Sequence, residues 1–312
     1  MDYRKQALSH EQQADQLLQR GLIADREELI ERLRRVSYYR LSGYLYPFRN
    51  ADDSYADGTT LEDVWNRYTF DRHLRFIVLD AIERTEVYVR TAMVYRHAHA
   101  FGPFGYTVPA NLPNLNRNQF GRLLSDIFRE TDRSKEAFVA HFREKYGDQH
   151  GWPPIWMATE LMSFGTTLTF FRGAPIDIKK NIASGFNQPD EVVDSWLHSL
   201  LTVRNACAHH ARLWNRALGV KPKIPNEKKN PDWHVPSTIR NDRIFSVITI
   251  LRYLMGIIAP QSRWPDRFLD LIERNPKIPL SEMGFPENWI ECPIWKGDSS
   301  QSKSSLAPTP TP

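Results

Sequence analysis

The 312-residue sequence has only two cysteines, Cys207 and Cys292. Two thiols cannot build a disulfide framework, and such a low number suits a chain that works in a reducing compartment. The sequence also has no paired-cysteine motif of the kind that holds zinc. Its opening residues, Met1 to Gln6, lack the apolar run of a signal peptide. We therefore expect a cytoplasmic protein that needs no metal or other cofactor.

Long hydrophobic segments are also missing. The most apolar run, residues 244–259, is interrupted by Arg252 and is short for a membrane span, so it predicts a buried helix. We find no convincing strand pattern, internal repeat, phosphate-cradling glycine loop or Gly-x-Ser-x-Gly turn. These absences argue against a membrane protein, a nucleotide-driven enzyme and a zinc nuclease.

Helical periodicity dominates what is present. Its longest run, from Leu61 to His99, is apolar on more than one side, which is typical of a central helix. The net charge of +4 is only a weak indication of a nucleic-acid partner, so local clusters matter more. We predict an all-α fold in three parts: an N-terminal helical extension at 1–60, the main helical domain at 61–296 and a disordered Ser/Pro/Thr-rich tail at 297–312.

One stretch in the second half of the chain changes abruptly from apolar to polar. A core-facing helical pattern leads into Arg204, Asn205, Cys207, His209 and His210. Histidine can take a proton from a ribose 2′-hydroxyl or return one to the leaving oxygen, and a guanidinium group can stabilise charge on the phosphate. Arginine close to histidine therefore indicates RNA cleavage without a metal.

Spacing alone is weak support, because similar Arg–His pairs recur at Arg4/His10, Arg67/His73, Arg90/His97 and Arg143/His150. The site at Arg204 differs in having Asn205, which a helix would place on the face of His209, where its side chain would orient the imidazole. Arg204 itself lies about 140° around the helix from His209, so we predict a homodimer in which a second subunit completes the site. The alternative is a polar helix end whose histidines only complement the helix dipole.

Two segments are candidates for binding RNA. Residues 31–49 hold five arginines against one acid, interleaved with aromatic rings that can stack on unpaired bases. In residues 204–240, eight Lys/Arg side chains face two acids, which favours an anionic partner. The alternative is that the tyrosines are core residues and the charges are only solvated. The candidate contacts are Arg32, Arg34, Arg35, Tyr39, Arg40, Tyr44, Arg212, Arg216, Lys221 and Lys223.

Charged residues also interrupt the long helical pattern. Glu83 and Arg90 are possible supporting residues that could orient the histidine or reach the phosphate if this helix packs against the Arg204 helix. The alternative is structural, since Glu86 and Arg90 have the favourable i,i+4 order for an ion pair.

Four blocks, in the same order, resemble bacterial abortive-infection proteins of the AbiD/AbiF type, and the Arg204 block resembles the motif of the HEPN superfamily. The blocks are residues 38–48, 138–146, 154–165 and 204–210. The resemblance implies a HEPN-like helical bundle that acts as a dimeric, metal-independent ribonuclease in phage defence, restrained by a cognate noncoding RNA or another antitoxin.

The resemblance also implies roles for individual residues. His209 would transfer protons, Arg204 would stabilise the phosphorane, Asn205 would orient His209, and His210 would assist or replace His209. The alternative is a non-catalytic HEPN-like module that binds RNA or a protein partner.

Overall fold

A computed structural model of the chain describes residues 6–296, so the predicted disordered tail lies outside the described residues. Within them the chain forms α-helices, short 3₁₀ turns and three isolated β-bridges but no sheet, which confirms the predicted all-α class. The helices are α1 His10–Gln19, α2 Arg26–Arg35, α3 Tyr38–Leu45, α4 Leu61–Phe101, α5 Arg117–Arg133, α6 Ala137–Tyr146, α7 Ile155–Leu161, α8 Phe164–Gly173, α9 Ile176–Ser184, α10 Asp190–Ala208, α11 Ile244–Ile258, α12 Trp264–Glu273 and α13 Pro293–Lys296.

Helix α4 organises the fold. It has 41 residues and is therefore about 60 Å long. Thr60 caps its first turn, and the chain leaves it through Gly102, whose φ of 74° favours glycine. Helices α3, α9, α10, α11 and α12 all pack against it. Its apolar residues are buried on more than one side, as the sequence pattern predicts.

The N-terminal helices share the hydrophobic core with the rest of the chain. Leu29 of α2 and Leu41 of α3 are fully buried in the same cluster as Leu74 of α4. The boundary predicted after residue 60 coincides with the start of α4, but apolar packing continues across it. The N-terminal segment therefore forms part of the surface around α4.

One long helical stretch of the sequence is broken in the structure. The pattern from Ile155 to Phe171 predicts a continuous helix, but the chain forms α7 and α8 with a break at Met162 and Ser163. Ser163 caps α8, its hydroxyl accepting from the Thr166 backbone, which competes with continuation of α7.

The most apolar helix, α11, closes the core. Phe245 stacks on Trp295 from α13, and the indole of Trp264 on α12 donates to the Ile77 carbonyl of α4 at 2.7 Å. Residues 6–296 include no helix whose length and apolar character would let it cross a bilayer.

Candidate functional site

Helix α10 brings the polar stretch against α4. The Cys207 thiol lies near Asp71 and Arg75, whereas Arg204 lies near Glu86, further along α4. The two helices are therefore antiparallel. Cys207 is buried, which raises the pKa of its thiol to about 12, so it is not a nucleophile at neutral pH.

The two histidines end α10 in a backbone motif that usually contains glycine. The Ala211 N–H donates to the Ala206 carbonyl at 2.8 Å, and the His210 N–H donates to the Cys207 carbonyl at 2.9 Å, which together form a Schellman motif. His210 occupies its left-handed position with φ of 56°, a conformation that costs an L-residue about 1 kcal/mol. Both His209 and His210 are exposed. An exposed histidine with a strained backbone, at a position where glycine would be favoured, indicates a functional reason for this residue.

A buried carboxylate holds the chain that follows the histidines. Asp71 of α4 accepts the backbone N–H groups of Leu213 and Trp214 at 3.0 and 2.7 Å. Its other oxygen accepts the Tyr44 hydroxyl at 2.6 Å and the Arg75 guanidinium at 2.5 Å. Burial raises the pKa of Asp71, and these hydrogen bonds and the Arg75 charge oppose the shift. Asp71 therefore fixes α3, α4 and the end of the α10 segment to one another.

Helix α3 lies directly beside the histidines. The Arg40 guanidinium donates to the His210 carbonyl at 2.6 Å, and the Arg212 guanidinium donates to the Gly43 carbonyl. These contacts place part of the basic, aromatic segment of residues 31–49 next to the end of α10.

Two open grooves meet at His210 and Arg40. The first, called the α4 groove, has a volume of about 400 Å³, and the second, called the α3 groove, about 310 Å³. The α4 groove is lined by Arg35, Val36, Ser37, Arg40, Tyr68, Arg72, Arg75, Phe76, Leu79, Cys207, Ala208 and His210. The α3 groove is lined by Ser37, Tyr39, Arg40, Gly43, Tyr44, His209, His210, Ala211 and Arg212.

The charged side chains that line the two grooves are basic. No carboxylate belongs to the described residues that line either groove. Over residues 6–296, Arg40, Arg72 and Arg212 form no ion pair, whereas Arg75 pairs with Asp71 and Arg35 lies 3.5 Å from a Glu31 oxygen. The grooves are therefore suited to an anion. The same part of the chain contains no cluster of three or more His, Cys, Asp or Glu side chains placed to hold a metal ion.

Arg204 and Asn205 differ from their predicted arrangement. Half-buried Arg204 lines neither groove, and its guanidinium donates to the Asn205 side-chain oxygen at 3.3 Å. The His209 backbone N–H donates to the Asn205 backbone carbonyl at 3.0 Å, so these two residues are joined through the main chain. Within residues 6–296 the Asn205 side chain forms no hydrogen bond to the His209 ring, so its orienting role stays a prediction.

Glu83 and Arg90 also lie outside the grooves. Arg90 donates to Glu86 at 2.7 Å and to the Met162 carbonyl at 3.0 Å, which ties α4 to the break between α7 and α8. Burial raises the pKa of Glu86, and the charges of Arg90 and Arg204 oppose that shift. Glu83 is exposed. The structure thus gives Arg90 the ion pair with Glu86 that its i,i+4 position favours.

The predicted RNA contacts on α2 and α3 divide into two groups. Arg35, Tyr39 and Arg40 line the grooves, and Tyr39 is 88% exposed. Arg32 and Arg34 instead form ion pairs with acids of α1 and α2.

Tyr44 requires a correction. It is 2% exposed and hydrogen-bonded to Asp71, so its ring has no free face for a base.

The basic loop after α10 is divided as well. Arg212 lines the α3 groove, and Arg216 is exposed beyond it. Lys221 and Lys223 lie beside the first turns of α10, where Lys223 is 3.3 Å from Glu191. That end of α10 is about 25 Å from the histidines. The two lysines therefore do not extend the cationic surface of the grooves.

The sequence patterns pointed to Glu83 and Arg90 of the long helix, but they missed the residues of α4 that the structure brings to the site. Asp71 and Arg75 hold the site together, while Arg72 and Phe76 line the α4 groove with a guanidinium lying 5.8 Å from the ring centroid. The available signal in the sequence was two consecutive i,i+4 pairs, Asp71/Arg75 and Arg72/Phe76. The first is an ion pair on a helix face that is otherwise apolar.

One comparison with known proteins identifies a family for this chain. A family model described as Abi-like protein matches residues 31–215, which include every residue that lines the two grooves and extend across the boundary predicted after residue 60. Neither the curated proteins nor the solved structures include a match to the chain.

Proposed function

This chain belongs to the Abi-like protein family, whose members act in abortive infection against phage, and we propose that it acts there as a metal-independent ribonuclease. Membership of the HEPN superfamily and of its AbiD/AbiF type is part of this proposal. It is supported by the Arg204–His210 motif and by the all-α fold around it. The proposed place of action is the cytoplasm.

The observation that carries the proposal is the meeting of two exposed histidines and an unpaired arginine in grooves without a carboxylate. Arg40 lines both grooves and is held against the His210 carbonyl. A guanidinium group fixed beside an imidazole can grip a phosphate while the imidazole moves a proton.

The reaction follows from these groups. One imidazole accepts the proton of a ribose 2′-hydroxyl, and the 2′-oxygen forms a bond to the adjacent phosphorus. The bond from phosphorus to the 5′-oxygen breaks, and an imidazolium returns a proton to that leaving oxygen. Guanidinium charge stabilises the phosphorane between these steps. The products are a 2′,3′-cyclic phosphate and a 5′-hydroxyl end.

His209 and His210 are the proposed proton carriers, with His209 as the principal group. Arg204 lies on a different side of α10 and lines neither groove. We therefore include a homodimer in the proposal, in which the α10 ends of two copies meet and Arg204 of one copy serves the other. A cognate noncoding RNA or another antitoxin would restrain the enzyme in uninfected cells.

The test is cleavage of cellular RNA by the purified protein in the presence of EDTA. We expect cleavage with cyclic-phosphate ends, detected by mass spectrometry, and its loss in His209→Ala, Arg204→Ala and Arg40→Ala proteins. His198→Ala is the matched control, because it removes a histidine in the middle of α10, about 16 Å along the helix from His209 and outside both grooves. Undiminished cleavage by both His209→Ala and Arg204→Ala proteins would refute the assignment.

A second candidate function is RNA binding without cleavage. The specific observation in its favour is that Arg204 and the histidines are not assembled around one groove within a single chain. Tight binding without cleavage by protein freed of co-purifying RNA would favour this candidate. The absorbance ratio at 260 and 280 nm checks that the RNA has been removed.

A further inference from the structure

The lining of the α4 groove combines guanidinium groups with apolar side chains. Arg72 is exposed and forms no ion pair within residues 6–296, and its guanidinium lies 5.8 Å from the centroid of the Phe76 ring. Phe76 is 59% exposed, and Leu79 lines the same groove. Phe76 is a large, exposed aromatic side chain that lines a groove, so its ring is available to a ligand that enters this groove.

Guanidinium groups next to an exposed aromatic ring match the chemistry of a nucleotide. Guanidinium groups bind phosphate oxygens, and a phenyl ring stacks on a base whatever its sequence. The volume of about 400 Å³ falls within the usual range for small-ligand sites. His210 lines the same groove, so a nucleotide there would place its phosphodiester next to the imidazole.

We infer that the α4 groove is a nucleotide subsite, in which Phe76 stacks on one base of the RNA strand and Arg72 binds the phosphate beside it. The inference that this strand is a substrate rests on the proposed function. Arg72 is the principal ligand of this phosphate because it lies beside Phe76 and forms no ion pair within residues 6–296, whereas Arg75 pairs with Asp71 and Arg35 lies near Glu31. Arg40, held at the His210 carbonyl, remains the ligand of the phosphate next to the imidazole.

The subsite determines which form of RNA fits. In a duplex both faces of each base are covered by neighbouring base pairs, and its edges face grooves that side chains read poorly. Phe76 can stack only on a base that is unpaired. The subsite therefore selects single strands and loops, and it excludes the interior of a duplex.

Binding is measured separately from cleavage. The probe is a short unstructured RNA carrying 2′-O-methyl groups, which removes the nucleophile, and it is compared with the same strand annealed to its complement. For wild-type protein we expect at least about tenfold tighter binding of the single strand, by fluorescence anisotropy. Phe76→Ala should weaken single-strand binding about tenfold and leave duplex binding unchanged, whereas Phe76→Trp should retain it.

The contribution of Arg72 can be recognised from the salt dependence of RNA binding. Arg72→Ala should weaken single-strand binding and reduce the slope of log affinity against log salt by about 0.7, the value for one phosphate contact on a single strand. The matched controls are Tyr95→Ala, an exposed aromatic residue about 28 Å along α4, and Arg122→Ala, an exposed arginine on α5. Both controls should bind like wild type, and circular dichroism verifies that each variant is folded.

The outcomes separate the subsite from the ribonuclease. Equal binding of single strand and duplex, or unchanged binding by folded Phe76→Ala and Arg72→Ala proteins, would overturn the subsite even if wild type cleaves RNA. Binding that depends on Phe76 and Arg72 without cleavage would support the subsite and refute the ribonuclease. When both hold, Phe76→Ala should raise KM mainly, whereas His209→Ala should lower kcat.

Discussion

Asp71 is predicted to be the residue whose loss most damages the site and the fold together. Its carboxylate accepts four hydrogen bonds, two from the chain after His210 and two from Tyr44 and Arg75. The perturbation is Asp71→Asn, which preserves the shape of the side chain and removes its charge. The amide oxygen can still accept the two backbone N–H groups. Its NH₂ group then faces the donor of Arg75.

The magnitude follows from the burial of the pair. The Arg75 side chain is 7% exposed, and Asp71 is fully buried. Removing one partner of such a pair leaves an uncompensated buried charge, at a cost of about 3–5 kcal/mol. Folded domains have a total free energy of unfolding of about 5–15 kcal/mol, so this is a large fraction of it. Asp71→Ala should be less stable still, because the Leu213 and Trp214 N–H groups would then lose their acceptor.

Urea unfolding, followed by circular dichroism and tryptophan fluorescence, measures the effect. The control is Asp126→Asn, which breaks an exposed ion pair with Arg129 and should cost at most about 1 kcal/mol. Adding Arg75→Met to Asp71→Asn should recover part of the lost stability, because it removes the unpaired cation. If Asp71→Asn unfolds within about 1 kcal/mol of wild type and binds RNA equally well, the proposed role of Asp71 in holding the site is wrong.

Three further predictions concern single side chains. His210→Gly should be more stable than His210→Ala by about 1 kcal/mol, because glycine adopts the positive φ without strain. Both variants should lose RNA cleavage or binding. Equal urea midpoints for the two variants would contradict the backbone argument. Burial between Phe101 and Phe170 lowers the pKa of His97 to about 4, below its unfolded value of about 6.5. Unfolding therefore takes up a proton between these two pH values. The free energy of unfolding should fall as the pH drops from about 6.5 towards 4, by at most about 1.4 kcal/mol per pH unit. His97→Leu should lose this part of the acid sensitivity, measured as the change in urea midpoint between about pH 7 and pH 5, and the same change in wild type and variant would count against it. The Cys207 thiol, buried and with its pKa raised to about 12, should resist iodoacetamide in the folded protein near pH 8 and react in urea; rapid modification of Cys207 in folded protein, located by peptide mass spectrometry, would show that it is accessible.

Local sequence was sufficient for the all-α class and for the long central helix, but not for the break between α7 and α8. The apolar pattern from Leu61 to His99 predicts the central helix α4, and Asp25 begins α2 by accepting from the Glu28 backbone as an N-cap residue does. These features depend on residues within one or two turns of each other. The all-α class follows from them.

Contacts between distant segments could not be read in this way. The tyrosines between residues 38 and 46 look alike in sequence, yet Tyr39 is 88% exposed and Tyr44 is 2% exposed. Only the packing of α3 against α4 determines which ring faces Asp71 and which faces solvent. The same packing places the Arg40 guanidinium against the His210 carbonyl. Arg32 and Arg34, on α2, instead form ion pairs with acidic side chains.

The sequence by itself therefore determined the all-α class, the central helix, and the presence of Arg204, His209 and His210 at one helix end, because hydrogen bonding and side-chain spacing within a helix are local. The tertiary structure alone decided that Arg204 lies away from the grooves, and that Arg72 and Phe76, more than 130 residues earlier in the chain, share a groove with His210. The physical reason is that a groove is a surface between elements. Its shape and charge depend on how α3, α4 and α10 pack around the buried Asp71 carboxylate.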